Sequence, residues 1–215
     1  MIKLILIVAT IISFALAATD SEMTKKMKKF KIIPQIVSGN VPELLKITFD
    51  SGASVNMGNK ILPSQAKNQP KVEWNADKHS FYTIVCFDAD APSPADPSLS
   101  KLVTWMVGNI PGNDIASGHV LAPYIAVSPP KGKQWHRAVW LVYKQPSKLK
   151  FDEPQVDKYT LEGRTNYPLE EFLKKNGIGE PVAGNFCMTK FDPHVLDVYK
   201  RLICCNKYNE EKESL

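Results

Sequence analysis

The chain has 215 residues, with 27 Lys and Arg against 22 Asp and Glu, a net charge of +5, and 44% apolar, 23% charged and 9% aromatic residues. That is the composition of an ordinary folded protein. It excludes collagen, extended coiled coil and a multi-span membrane protein, because there is no Gly-X-Y period, no sustained heptad and no second long apolar run. Sixteen prolines against eleven glycines favour loops and β structure over long helices.

Residues 1–17 read as a signal peptide: Lys3, then a nearly continuous apolar stretch from Leu4 to Phe14, then the small-residue pattern Ala15-Leu16-Ala17-Ala18. A membrane-spanning helix needs about 20 apolar residues. This run is shorter and Asp20 follows it, so cleavage after Ala17 and secretion are expected. Residues 18–215 then form a single domain with a core at about 28–205. Lys25, Lys26, Lys28, Lys29 and Lys31 concentrate positive charge near the start. Met23, Met27 and Phe30 recur at helical spacing among them, so the lysines read as the solvated face of a short helix rather than a nucleic-acid surface. Neither a nucleic-acid partner nor stable membrane insertion is expected, and the protein is expected to be a monomer.

Strands are predicted at Leu44–Phe49, Phe81–Phe87, Leu102–Ile110, Leu121–Val127, Ala138–Lys144 and Val182–Lys190 from their β-branched and aromatic content. Proline and glycine clusters at 91–94, 111–114 and 129–132 separate them. One helix opens at Pro168, carries Glu170 and Glu171 in its first turn and Lys174 and Lys175 in its last, and stops at Gly177. A second is capped by Asp192, with Pro193 following, and presents Val195, Leu196, Tyr199, Leu202 and Ile203 as an apolar face. The order predicts a mainly β domain with peripheral helices rather than alternating βαβ units.

Cys86 lies inside a strand and is expected to be a free, buried thiol. Cys187 falls in a second apolar run, and the adjacent Cys204 and Cys205 fall near the end of the last helix, so the disulfide pairing stays open. No Cys-x-x-Cys, dinucleotide-binding glycine motif, P-loop, His-Glu-x-x-His or Gly-x-Ser-x-Gly occurs. No metal or cofactor is expected. Asp88, Asp90 and His136 stand at strand ends, where an Asp/His pair could do acid–base work and Asp-x-Asp with a histidine could ligate a metal.

Cys-Phe-Asp-Ala-Asp-Ala-Pro-Ser (86–93), Ser-Pro-Pro-Lys-Gly-x-x-x-His-Arg (128–137), Gly112-Asn113-Asp114-Ile115 and Pro181-Val182-Ala183-Gly184-Asn185-Phe186 occur in an order that resembles the phosphatidylethanolamine-binding proteins, also called the kinase-inhibitor-protein family. The resemblance implies a large central antiparallel β-sheet with a second small sheet and peripheral helices. It also implies a cis Ala91–Pro92 bond and a small pocket for anions such as a phosphate headgroup. Carried over residue by residue, the pocket comprises Asp88, Asp90, Thr104, Pro129, Pro130, His136 and Tyr199. Several positions depart from the family pattern. Ala89 replaces a proline, Leu102-Val103-Thr104 replaces a tryptophan–histidine–histidine run, Ser128 replaces a glycine, and Ala138 replaces an aromatic residue. One of two pocket imidazoles is therefore a threonine.

The leading expectation is a secreted ligand-binding protein whose altered pocket takes a phospholipid headgroup, a phosphate-like anion or a small apolar ligand. The alternative is an interaction module acting on a protein partner, as a protease inhibitor or signalling modulator. A hydrolase built on Asp88 and His136 is the least favoured reading, so no enzymatic activity is expected.

Overall fold

Residues Phe81–Asp88 carry almost no side chain that water would reward, and they form the buried centre of the molecule. The computed structural model describes residues 20–132 and 134–202. The expected signal peptide, Cys204 and Cys205 lie outside the described residues.

The chain begins with helix α1 (Glu22–Lys29), followed by strands β1 (Glu43–Leu44), β2 (Lys46–Thr48), β3 (Lys71–Glu73), β4 (Phe81–Asp88), β5 (Leu102–Pro111), β6 (His119–Ala122) and β7 (His136–Lys144). Helix α2 (Leu169–Lys175) and strand β8 (Pro181–Thr189) come next, and a third helix, α3, runs over 194–202. No described helix is long and apolar enough to cross a membrane.

Six strands form the large sheet in the order β1-β8-β7-β4-β5-β6, and β2 pairs with β3 in a small one. Every neighbouring pair in the large sheet is antiparallel except the edge pair β1 and β8, which is parallel. The sheet is antiparallel through its centre, as the resemblance implied, and mixed only at that edge. Residues on the central strands alternate between two cores. Val85, Phe87, Val139 and Leu141 face α1 and α2, where Met23, Met27, Leu169 and Phe172 cover them. Ile84, Cys86, Trp105 and Trp140 face the small sheet, where Ile47 and Val72 cover them.

The predicted strand at 44–49 is divided between the two sheets. Leu44 pairs with Gly184 in the large sheet, whereas Lys46–Thr48 pair with β3. A single in–out alternation persists across the break, with Leu45, Ile47 and Phe49 buried, which is why the residues read as one strand. β3 was not predicted, since Lys-Val-Glu is too short to show a period. The strand predicted at 121–127 ends at Ala122, because Pro123 has no N–H for the ladder. The residues after it run alongside β5 irregularly, held by a bond from the Ile125 N–H to the Thr104 carbonyl at 2.9 Å.

The helices follow their predicted signals. Ser21 caps α1, its hydroxyl accepting from the Thr24 N–H, and Met23 and Met27 are buried while the lysines stay outside. Pro168 precedes α2, and Gly177 beyond it takes a φ of 62°, the left-handed conformation that terminates helices. Asp192 accepts from the N–H groups of His194 and Ser64 at 3.0 and 2.9 Å. It thus caps the start of α3 and ties that helix to the rest of the domain.

Candidate functional site

The last residue of β4, the first of β7 and a bulge in β5 meet at one end of the large sheet. Asp88 pairs across the ladder with Ala138, so His136, two positions earlier on β7, is its diagonal neighbour on the same face. His136 Nδ1 lies 2.8 Å from Asp88 Oδ2, with both side chains buried. A carboxylate only accepts, so the imidazole donates from Nδ1. The other carboxylate oxygen of Asp88 accepts the N–H of Asp90 at 2.9 Å. This local turn bond fixes the Asp88 rotamer from below.

Asp90 does a different job. Its carboxylate accepts from the backbone N–H and the Nε of Arg137 at 2.7 and 2.8 Å, and also pairs with the Arg137 Nη2. The same guanidinium reaches the carbonyls of Phe30 and Lys31. The carboxylate of Asp90 is therefore spent on a clamp that joins the strand end to the segment after α1.

The ladder between β4 and β5 slips by one residue, with Cys86 opposite Trp105 but Phe87 opposite Val103. Thr104 is the extra residue of this bulge, a device that re-aims one side chain out of the alternation. Its hydroxyl donates toward Cys86, 3.3 Å from the carbonyl and 3.2 Å from the sulfur. The donor expected at this position in place of an imidazole is thus already engaged.

A cavity of about 310 Å³ opens over these residues. Asp88 and Thr104 are at its floor, and Ala91, Pro92, Leu99 and Leu102 form one wall. Ile125, Ala126, Ser128 and Pro130 form a second wall, while Leu161, Thr165, Val198, Tyr199 and Leu202 close the remaining side. The Ala91–Pro92 bond is cis, as the resemblance implied. The Tyr199 hydroxyl donates to the Ser128 carbonyl at 3.0 Å, so α3 is latched to the loop before β7. Burial and the negative charge of Asp88 push the Tyr199 phenol up from its ordinary value, so it stays protonated and able to hold this bond.

Of the residues named from sequence, Asp88, Thr104, Pro130 and Tyr199 line the cavity, with His136 bonded behind Asp88. Asp90 and Pro129 are buried outside its walls. Ala138 is packed in the core against the small sheet rather than at the rim, whereas Leu102 does line the cavity. Sequence reasoning missed the contributions of Leu99, Ile125, Leu161 and Val198, apolar residues of loops and a helix that form no motif. It also missed Arg164, which is fully buried. This guanidinium donates to the carbonyls of Val103, Pro123, Asp157 and Lys158 at 3.0–3.2 Å, fixing the loops that carry Leu161 and Ile125. Burial alone pulls its pKa down to about 10, so it remains charged at neutral pH. A lone arginine in a polar stretch gave no sign of this. Among the described residues, no group of three or more His, Cys, Asp or Glu side chains could hold a metal ion.

The two-sided sheet and the acid–imidazole pair beneath an apolar cavity define a cavity-bearing β protein. The family model for phosphatidylethanolamine-binding proteins matches residues 45–187, and the chain belongs to that family. It is 35% identical over 183 residues to "Putative odorant-binding protein A5" of Drosophila melanogaster, covering 85% of this chain and 87% of that one. It is 34% identical over 157 residues to a "26 kDa secreted antigen" of Toxocara canis, covering 72% of this chain and 59% of the relative. Among solved structures, carboxypeptidase Y inhibitor complexed with its cognate proteinase superposes with a TM-score of 0.65 at 23% identity, covering 79% of this chain and 95% of that one. At that identity the likeness speaks for the fold alone.

Proposed function

We propose that the protein is a secreted carrier or receptor for a small, largely apolar ligand, which it binds without chemical turnover in the cavity between β4, β5 and α3. The carrying observation is the lining. Around Asp88 the walls are Ala91, Pro92, Leu99, Leu102, Ile125, Ala126 and Leu161, and among the described residues no Lys or Arg lines the cavity. A carboxylate on an apolar floor without a cation disfavours a phosphate group at that point. It suits instead a neutral or cationic polar group that donates to Asp88 while the rest of the ligand packs on the walls. The volume is at the small end of ligand pockets, about 300–1,000 Å³. The hydroxyls of Thr104, Ser128 and Tyr199 are bonded to Cys86, Ala126 and Ser128 respectively. A hydrolase that formed a covalent intermediate on one of these three would need that hydroxyl freed and activated by His136. Action outside the cell is supported by the leader-like first residues and by the relatives, one named an odorant-binding protein and one a secreted antigen.

The test is displacement of an apolar fluorescent probe, N-phenyl-1-naphthylamine, from the purified chain by small alcohols, amines and aldehydes. Leu102→Trp would fill the cavity from a partly exposed position, so probe binding should fall at least tenfold while the unfolding midpoint stays within normal surface-variant scatter. Probe binding unaffected by Leu102→Trp would overturn the assignment. Saturable inhibition of a carboxypeptidase with no probe binding would replace it with the inhibitor reading.

A further inference from the structure

A second cavity, of about 350 Å³, lies against the first, and the two share Ile125, Ala126 and Val198 as a common wall. Their chemistry is opposite. Among the described residues, the first is lined by Asp88 and no Lys or Arg, whereas the second is lined by Lys67, Lys158, His194 and Arg201 and no Asp or Glu. These basic residues come from three separate stretches of the chain, His194 and Arg201 both lying on α3, so no local charge run explains their convergence. Tyr159 organises two of them. Lys158 Nζ and the Arg201 guanidinium each lie 5.5 Å from the centre of its ring, and Arg201 Nη1 donates to its hydroxyl at 2.7 Å. Arg164 fixes the backbone beneath, since it donates to the carbonyls of Pro123 and Lys158, both residues of this second cavity. Among the described residues, no carboxylate forms an ion pair with Lys67, Lys158 or Arg201.

We propose that the paired cavities bind one anionic amphiphile, its apolar part beside Leu102, Leu161 and Tyr199 and its carboxylate or phosphate against Lys67, Lys158 and Arg201. The inference rests on the apolar-ligand reading of the first cavity and extends it. An anion is disfavoured beside Asp88, since among the described residues no Lys or Arg lines that cavity. Immediately beyond the shared wall the field changes sign, so a ligand with an apolar body and one charged end finds a matched surface for each part. Charge complementarity of this kind selects among ligands of similar apolar bulk. A neutral ligand of the same length gains only the first cavity.

The test compares dodecanoate, dodecyl phosphate and dodecan-1-ol on the full chain by displacement of the apolar probe, at low and high salt. Lys67 and Lys158 are exposed, so the double variant Lys67→Gln/Lys158→Gln should fold normally. Wild-type protein should prefer at least one anion over the alcohol, and the preference should shrink at high salt, as screened charges require. The double variant should bind that anion about tenfold more weakly, the effect of two exposed charge contacts, and bind dodecan-1-ol unchanged. Loss confined to dodecanoate assigns a carboxylate ligand, and loss confined to dodecyl phosphate assigns a phosphate. If the alcohol binds as well as both anions, or the double variant leaves both anions unaffected, the amphiphile inference is overturned while the apolar cavity stands. If none of the three displaces the probe, both readings fall together.

Discussion

His136 donates from Nδ1 to Asp88 Oδ2 across 2.8 Å although 48 positions separate the two residues, and each side chain is only 3% exposed. Removing one partner of a buried, charge-assisted bond leaves the other desolvated without compensation. His136→Ala is expected to cost about 3 kcal/mol of stability, read as a lower urea midpoint at unchanged slope. Asp88→Asn should cost about 1–3 kcal/mol, because the amide oxygen can accept from Nδ1 but the amide nitrogen then faces the Asp90 N–H, which loses its acceptor. The double variant should cost less than the sum of the two. Strict additivity would show that the pair is not coupled.

Cys86 and Cys187 are both free and buried. Burial pushes both thiols up, and at Cys86 the Thr104 hydrogen bond only partly opposes it. The thiolate is the reactive form, so neither should react with an aromatic disulfide reagent while the protein is folded. Both should react on unfolding in urea. Rapid labelling of a Cys86→Ala variant at Cys187 in native buffer would contradict the burial of that site.

Asp77 gives the pH dependence. The Ser80 hydroxyl at 2.7 Å and then the His79 N–H at 3.0 Å hold its carboxyl down at about 2. An unfolded chain has this group near its ordinary value of about 3.9. Because the folded value is the lower one, the folded state favours the ionised form. Its stabilisation is complete above about pH 4 and is lost as pH falls toward 2. The side chain is exposed, so the contribution is small. The direct check is the carboxyl titration of Asp77 by NMR. Its midpoint should be near 2 in wild type and should rise toward 4 in Ser80→Ala.

Much of this architecture can be read from the chain without coordinates. Residues 81–87 are apolar apart from Thr83 because the strand is buried on both faces, and such runs announce themselves. The ends of the two later helices were equally legible, since Pro168, Gly177 and Asp192 act through local chemistry, whereas the Ser21 cap of α1 was not read. What could not be read is whatever depends on a distant partner. β3 exists because β2 needs a neighbour, and β6 stops early because Pro123 breaks the ladder it would have continued. Asp90 looked like a pocket residue from its motif, yet its carboxylate is drawn away by Arg137, 47 positions later. Arg164 is buried by four carbonyls that only the folded loops assemble. The basic character of the second cavity was equally hidden, because Lys67, Lys158 and Arg201 meet only in three dimensions.

Thr104 should determine how well this protein holds a small anion in the first cavity. It occupies the bulge opposite Cys86, is buried, and donates its single hydroxyl proton toward Cys86. The nearest charged group on the cavity is Asp88, which repels anions. Thr104→His would replace a short, occupied donor with a ring that reaches into the cavity and can carry charge. Sulfate is a useful probe because it keeps its charge across the range of interest, whereas phosphate gains a proton near pH 6. Wild-type protein should bind sulfate weakly and with little pH dependence at this site. The variant should bind about tenfold more tightly, the effect of one added hydrogen bond to a charged partner. A bound anion favours the protonated imidazole, so the gain should grow as pH falls below about 6.5 and fade above it. Titration calorimetry at pH 5.5 and 7.5 reads both quantities, and a urea melt of the variant checks that loss of the Cys86 bond has not unfolded it. A folded variant that binds sulfate no better than wild type at either pH would show that the cavity rejects anions because of Asp88 and its walls, and not because an imidazole is missing.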